Sequence, residues 1–302
     1  LNMQTAKDET NLIPSNNNTV LSFQQNVFSK SNLKFLFVNR EKTGQDSFES
    51  EQERYNRLLG FDYNFISKND KIRGKVFFYN TFSPSEENEG VSTGFRFNFN
   101  DIKNRFRTVF TRTTPNFTSD LGFSRRKGFK KNYTKYDRYF FPKSELIQSI
   151  SVGPELYYVD KPEENNLVTD RRLNANLSVN FKNRSRIDLA IVNTYIYLEN
   201  TFDPTGINID SPITEGAYDT SQFEFGYTST NRRKFRFKSE ISFGGYFSGE
   251  KFSISNNFNF RIDKLLQASL KLSYDKINLP EPQKSVGLIL VSPKLDLSLI
   301  HI

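Results

Sequence analysis

The stretch FRFKSEISF, residues 235–243, decides the fold class. Its apolar residues occupy every second position apart from Ser239, and the positions between them are charged or polar: Phe235, Phe237, Ile241 and Phe243 alternate with Arg236, Lys238, Glu240 and Ser242. Successive side chains of a β-strand point to opposite faces, so this two-residue period predicts a strand with one apolar and one polar face.

The same period recurs along the chain, for example in residues 95–100, 223–228, 252–260 and 267–275, whereas no segment shows a comparable 3.6-residue period. The candidate strands are longer than the five or six residues of an average soluble strand and match the 9 to 11 or so of a membrane barrel. Short polar turns also alternate with long loops, which is typical of outer-membrane barrels. We therefore predict an all-β fold, an antiparallel transmembrane β-barrel of the outer-membrane type, with about 14–15 strands.

Composition excludes several functional classes. The 302 residues include 42 Lys and Arg, 34 Asp and Glu, one His and no Cys, which gives a net charge of +8. Thiolate nucleophiles, disulfides and multi-histidine metal centres are thereby excluded. The apolar runs of about five residues are far shorter than the roughly 20 that a membrane-spanning helix needs.

The predicted organisation is one domain over residues 1–302, read as an incomplete barrel, with irregular or truncated ends at 1–19 and 296–302. Near the middle, a long loop is predicted at 113–134, followed by a strand at 135–141. Leu1 is not an initiator, and the first short turn, residues 29–31, follows a strand that would enter from the external side. We therefore expect the chain to be a fragment.

Several motifs resemble a known family: DLGFSRRKGFKK at 120–131 followed by Pro142, ITEGAY at 213–218, FGGYFSG at 243–249 and INLP at 277–280. Together they resemble the C-terminal barrel region of a Gram-negative outer-membrane family of unknown function, in which a carbohydrate-binding domain similar to family nine precedes the barrel. The resemblance implies a link to carbohydrate binding or uptake, and a hydrolase label that comes from the neighbouring domain. Gly128 stands where the family pattern leads us to expect an acidic residue.

Two groups of charged residues are candidate sites. A basic cluster in the predicted long loop could contact lipopolysaccharide phosphates or acidic glycans, and its candidate residues are Arg125, Arg126, Lys130 and Lys131. A second group is predicted to line the lumen, and it comprises Glu224, Arg236, Lys238 and Glu240. A solvated loop, and ion pairs between neighbouring strands, are the simpler explanations of these groups.

Other chemistry has weaker support. Arg96, Arg107 and Lys271 also fall on predicted lumen faces, so the interior should be mixed and somewhat basic. The acidic runs at 46–53 and 86–89, and the set Asp203, Asp210 and Glu215, match no defined calcium loop. We predict no metal, no cofactor and no catalytic residue, and nucleic acid is not expected as a partner because no recognition motif accompanies the charge.

The sequence thus predicts an outer-membrane β-barrel of a Gram-negative bacterium that acts as a pore or a membrane anchor, with outer-membrane lipid and lipopolysaccharide as partners and glycans as a further candidate. One alternative is a membrane-attached carbohydrate-active hydrolase, so enzymatic activity is left open although it is not the favoured interpretation. A second alternative is a soluble β-sandwich binding module.

Overall fold

The structure is a computed structural model that describes residues 1–44, 54–84, 90–122, 126–208, 210–230, 232–261 and 266–297. The described residues form sixteen strands in one antiparallel sheet, whose strand order follows the chain from the first strand to the last. No helix in these ranges is long and apolar enough to cross a bilayer.

The strands are β1 (Asn2–Thr5), β2 (Asn16–Val27), β3 (Ser31–Lys42), β4 (Tyr55–Ile66), β5 (Ile72–Phe82), β6 (Gly90–Asn100), β7 (Asn104–Thr113), β8 (Phe129–Phe140), β9 (Ile147–Lys161), β10 (Leu167–Phe181), β11 (Arg186–Leu198), β12 (Gly216–Thr228), β13 (Phe235–Tyr246), β14 (Gly249–Arg261), β15 (Leu266–Asn278) and β16 (Val286–Leu297).

The prediction of an all-β antiparallel fold with long strands is confirmed. From β2 onward the strands have between 10 residues, in β7, and 15 residues, in β9 and β10. A meander with an even number of antiparallel strands is the sheet topology of outer-membrane barrel channels. The single sheet order contradicts the alternative of a two-sheet sandwich.

The connections also alternate as predicted. Residues 28–30, 67–71, 101–103 and 182–185 connect strands at one end, which we call the short-turn end. The longer connections, including 114–128 and 199–215, lie at the other end, the long-loop end. Two connections at the long-loop end are short, because β9 and β10 extend to residues 161 and 167 and because β13 and β14 are joined by Phe247 and Ser248 alone.

The structure has sixteen strands where about 14–15 were predicted, and strand boundaries differ clearly in three places, one of which is β16, which continues to Leu297 and so enters the end that was expected to be irregular. β8 begins at Phe129, inside the segment expected to be a loop, since residues 129–135 carry lysine on both faces and so show no continuous apolar period. At the N-terminus, β1 and the first residues of β2 lie where an irregular end was expected. The short strand β1 is amide-rich and polar and therefore lacks the alternation that marks the other strands.

Two compact units divide the chain. The first contains residues 1–101, 105–134 and 158–168, and the second contains residues 102–104, 135–157 and 169–302. In the second unit a small apolar core forms at the long-loop end, where Ile213, Ile277 and Leu279 are buried against Leu198 and Tyr246.

Candidate functional site

In the first unit the sheet has one apolar and one polar face. Residues that are directly paired across antiparallel strands share a face. Phe35 pairs with Phe61, which in turn pairs with Phe78, so these rings lie on one face. Lys34 pairs with Asp62, which therefore lies on the opposite face.

The same division holds in the second unit. Phe223 pairs with Phe243, and Phe243 pairs with Phe252, which places all three rings on the apolar face. The polar face carries the residues between them, including Glu224 and Lys251.

The apolar face is exposed. Phe23 and Phe35 in the first unit expose 60% and 52% of their surface, and Ile191 and Phe243 in the second expose 62% and 52%. In the first unit the aromatic and aliphatic side chains of β2–β5 leave an apolar groove of about 530 Å³. Monomeric soluble proteins rarely expose apolar surface of this extent, so the face is suited to contact with lipid or another apolar partner.

Cationic side chains dominate part of the polar face of the first unit, towards the short-turn end of β3–β7. We call this group the basic strip: Lys34, Arg73, Lys75, Arg96, Arg105 and Arg107. Asp62 is the one carboxylate among the residues described on this part of the face. It is nearly buried, forms an ion pair with Lys75 at 3.0 Å, and accepts a hydrogen bond of 2.6 Å from the Tyr79 hydroxyl.

The predicted lumen charges all lie on the polar face of the second unit. Glu240 forms an ion pair with Lys238 at 2.6 Å, and Glu224 forms one with Arg172 at 3.0 Å. Both carboxylates are thus in ion pairs, but not in the expected pairs between neighbouring strands: Lys238 lies on the same strand as Glu240, and Arg172 lies on β10, which β11 separates from β12. Arg236 faces Asn259 across β13 and β14.

Part of the connection between β7 and β8 packs against the polar face of the first unit. We call residues 114–122 the inner segment. The Asn56 side-chain amide donates to the carbonyl and hydroxyl oxygens of Thr118, both at 3.1 Å, and its oxygen accepts from the backbone N–H of Asp120. Arg40 donates to the Asp120 carboxylate at 2.6 Å. The segment therefore lies over β3 and β4, not away from them.

Glycine permits this close approach. A Cβ atom on Gly90 would lie 2.5 Å from the Phe117 Cα and the Asn116 carbonyl oxygen, which is closer than side-chain carbon atoms pack. Within the segment Phe117 is buried, and Thr118 donates its backbone N–H to the Thr81 hydroxyl at 3.3 Å. A larger residue at position 90 would displace the inner segment.

The predicted loop cluster does not stay together. Arg125 lies outside the described residues, and Arg126 is exposed between β7 and β8. Lys130 and Lys131 lie in β8 instead of a loop. Because they are consecutive residues of a strand, their side chains point to opposite faces of the sheet. Lys130 forms an ion pair at 2.9 Å with Asp160, whose side chain is only 1% exposed.

Asp203, one of the carboxylates considered for metal binding, is engaged by hydrogen bonds within its own loop. Asp203 accepts hydrogen bonds from the Thr205 hydroxyl and from the backbone N–H groups of Thr205 and Asn208, and these bonds, that of the Thr205 hydroxyl first, lower its pKa. Asn208 in turn exchanges hydrogen bonds with the backbone of Lys284, which joins this loop to the connection between β15 and β16. Among the described residues no group of His, Asp and Glu could hold a metal ion, and the acidic runs at 46–53 and 86–89 and His301 fall in the parts of the chain that are not described.

Sequence reasoning identified Arg96 and Arg107 but missed the other members of the basic strip and the carboxylate between them. The alternation that placed the first two on the polar face also places Lys34, Arg73 and Lys75 there. The missing information was strand order and register, which bring these side chains together from separate strands.

No family model and no curated protein matches the chain. Solved structures similar to it include the outer membrane protein opdK from Pseudomonas aeruginosa, with 6% identity, 93% of this chain and 94% of that chain covered, and a TM-score of 0.47. A bacterial polysaccharide outer membrane secretin has 11% identity, 94% and 91% coverage and a TM-score of 0.38. The CymD monoaromatic hydrocarbon channel has 12% identity, 99% and 86% coverage and a TM-score of 0.34.

Proposed function

We propose that this protein is a Gram-negative outer-membrane β-barrel that forms a pore, in which the sheet closes, the apolar face contacts lipid and the polar face lines water. The observation that carries the proposal is the exposed apolar face of both units, opposite a face rich in Asn, Ser and charged residues. Lipid can cover the apolar face, and water can solvate the polar face.

Backbone hydrogen bonding supports closure in a bilayer. Hydrocarbon offers no partner for N–H and C=O groups, so a spanning sheet has to satisfy them internally and close. The described strands pair in order from β1 to β16, and all but β1 are long enough for a tilted strand to span the hydrocarbon. A lipid-facing arginine at the midplane would cost about 2 to 4 kcal/mol, and the arginines of the basic strip are on the other face.

The polar face favours a pore over a hydrolase. A glycosidase needs two carboxyl groups about 5 to 10 Å apart, one to act on the leaving group and one on the sugar or a water. Glu224 and Glu240, the pair that the sequence singled out, are each engaged by a cation. The charged groups are thus suited to lining water more than to acid–base chemistry.

The finer predictions belong to the same proposal. The link to carbohydrate uptake rests on the motif resemblance, and swelling of proteoliposomes in neutral sugars would test it. Contact of lipopolysaccharide phosphates with exposed Arg126 at the long-loop end would be tested by comparing binding to vesicles with and without lipopolysaccharide.

Two measurements test the main proposal. The protein in its parent cells should fractionate with outer membranes and migrate faster on a gel before heating than after, as closed barrels do. Purified and inserted into planar lipid bilayers, it should give discrete conductance steps. A folded, membrane-inserted protein that conducts no ions would contradict the pore and favour an anchor, and a protein recovered only in the aqueous fraction would contradict the membrane assignment.

A further inference from the structure

The basic strip brings like charges into direct neighbourhood. Lys75 on β5 pairs with Arg96 on β6, so their side chains leave the backbone at adjacent positions on the same face. One register step towards the short-turn end, Arg73 and Arg107 both pair with Asn98 from its two sides. Like charges at such positions repel each other unless an anion lies between them.

The local carboxylate is already engaged. Asp62 forms an ion pair with Lys75 and accepts a hydrogen bond from the Tyr79 hydroxyl. Lys34 is the cross-strand neighbour of Asp62. Arg96 is exposed and has no acidic partner among the described residues. Arg73 lies 4.0 Å from Asp70 of the neighbouring turn, whereas Arg96 keeps a positive charge on the polar face that no described carboxylate pairs.

Several cations of the second unit, in contrast, are paired with a carboxylate. On its polar face Arg172, Lys238 and Lys251 each have a carboxylate within about 3 Å, and Arg186 binds Asp188. Pairing with a carboxylate is thus common on this face, although Arg236 and Lys271 have no such partner among the described residues.

We infer that the basic strip is an anion site that makes the pore selective for anions and binds small oxyanions, with Arg96 as its principal unpaired donor. This inference rests on the proposed function. A guanidinium presents paired N–H donors that match two oxygens of a carboxylate or phosphate, and lysine and arginine neighbours add long-range attraction. Fixed charges that line a narrow path raise the local concentration of counterions, which increases anion passage relative to cation passage.

The test is the reversal potential of single pores in a tenfold KCl gradient, followed by addition of inorganic phosphate. We expect chloride to permeate better than potassium, and phosphate to reduce the chloride current. Arg96→Gln should lower the chloride-to-potassium permeability ratio by at least about twofold and weaken the phosphate effect. Arg96→Lys should retain most of the selectivity, because the charge remains.

Lys276→Gln is the matched control. Lys276 is exposed on β15 and pairs with Phe252, which places it on the apolar face, so this variant loses the same charge without changing the polar face. Its permeability ratio should equal that of the unmodified protein. Raising the salt to 1 M shortens the Debye length to about 3 Å and should reduce the selectivity.

The outcomes distinguish a failure of the anion site from a failure of the pore. Pores that conduct but show no preference for chloride, or a ratio that falls equally in Arg96→Gln and Lys276→Gln, overturn the anion site and leave the pore intact. A folded, inserted protein that does not conduct overturns the pore and the anion site with it.

Discussion

The Asn56 side chain binds the inner segment at two points, since its amide donates to Thr118 and its oxygen accepts from the backbone of Asp120. Asn56 is only 4% exposed, so these hydrogen bonds are shielded from water. The contact fixes part of a long connection on the polar face, where it would narrow the proposed pore.

Replacing this side chain should release the inner segment without unfolding the sheet. Asn56→Ala removes the three hydrogen bonds at a cost of about 2 kcal/mol to local order. Trypsin should then cleave after Arg126 or Lys127 roughly tenfold faster, while heat-modifiable migration persists. Asn98→Ala is the control, because Asn98 also lies on the polar face but donates only to the Arg73 carbonyl, at 3.4 Å. Equal cleavage in both variants would argue against the anchoring role.

The ion pair between Lys130 and Asp160 should be stabilising chiefly because it neutralises a buried carboxylate. Lys130→Met leaves the Asp160 charge without its cation and should destabilise the protein by about 3 kcal/mol. The double variant Lys130→Met with Asp160→Leu should recover much of the loss, since no buried charge remains. Urea unfolding in micelles measures both values, and a double variant at least as unstable as the sum of the single variants would refute this explanation.

Two glycines in strands should differ sharply in their tolerance of alanine. A Cβ on Gly153 in β9 would overlap the Tyr136 carbonyl, whereas a Cβ on Gly226 in β12 would lie 3.5 Å from the Asp188 Cβ, an ordinary contact. Gly153→Ala should therefore reduce the yield of folded, heat-modifiable protein severely. Gly226→Ala should leave it near normal, and similar yields for the two variants would contradict the close strand approach at Gly153.

The loop that contains Asp203 should loosen in acid. Hydrogen bonds to its carboxylate lower the pKa of Asp203 in the folded loop below its ordinary value, so the stabilisation is present above the ordinary pKa, near 4, and is lost as pH falls through the lowered value. Because the chain has no cysteine, a spin label at Ile207→Cys would report on this loop alone. Label mobility should rise below about pH 4, and in an Asp203→Asn background it should be high at all pH values and independent of pH. A label that responds to acid equally in both backgrounds would exclude Asp203 as the cause.

The sequence predicted the strands well where burial on one side imposes a period of two, as in residues 235–243. It failed at the start of β8, where Lys130 is partly buried by its ion pair and lysines interrupt the apolar alternation of the other face. Register was not predicted, because a slip of two residues keeps every side chain on its face and leaves the alternation unchanged. For that reason the partner of Glu224, which is Arg172 of β10, could not be foreseen.

The anchoring of the inner segment was equally hidden. Asn56 and Thr118 are polar residues of a kind found on any strand or loop, and their hydrogen bonds depend on a connection folding back over β4. The period of the sequence describes each strand separately and does not show which strands a loop packs against.

The strand order also has a kinetic consequence. Each pairing joins chain neighbours, so every step of folding closes only the loop between two consecutive strands. Loop-closure entropy grows slowly with length, by about 0.6 kcal/mol for each doubling, so even the connection between β7 and β8 adds little to the barrier. The sheet can therefore grow by successive addition of hairpins from whichever pair forms first, without a search for strands that are distant in the chain.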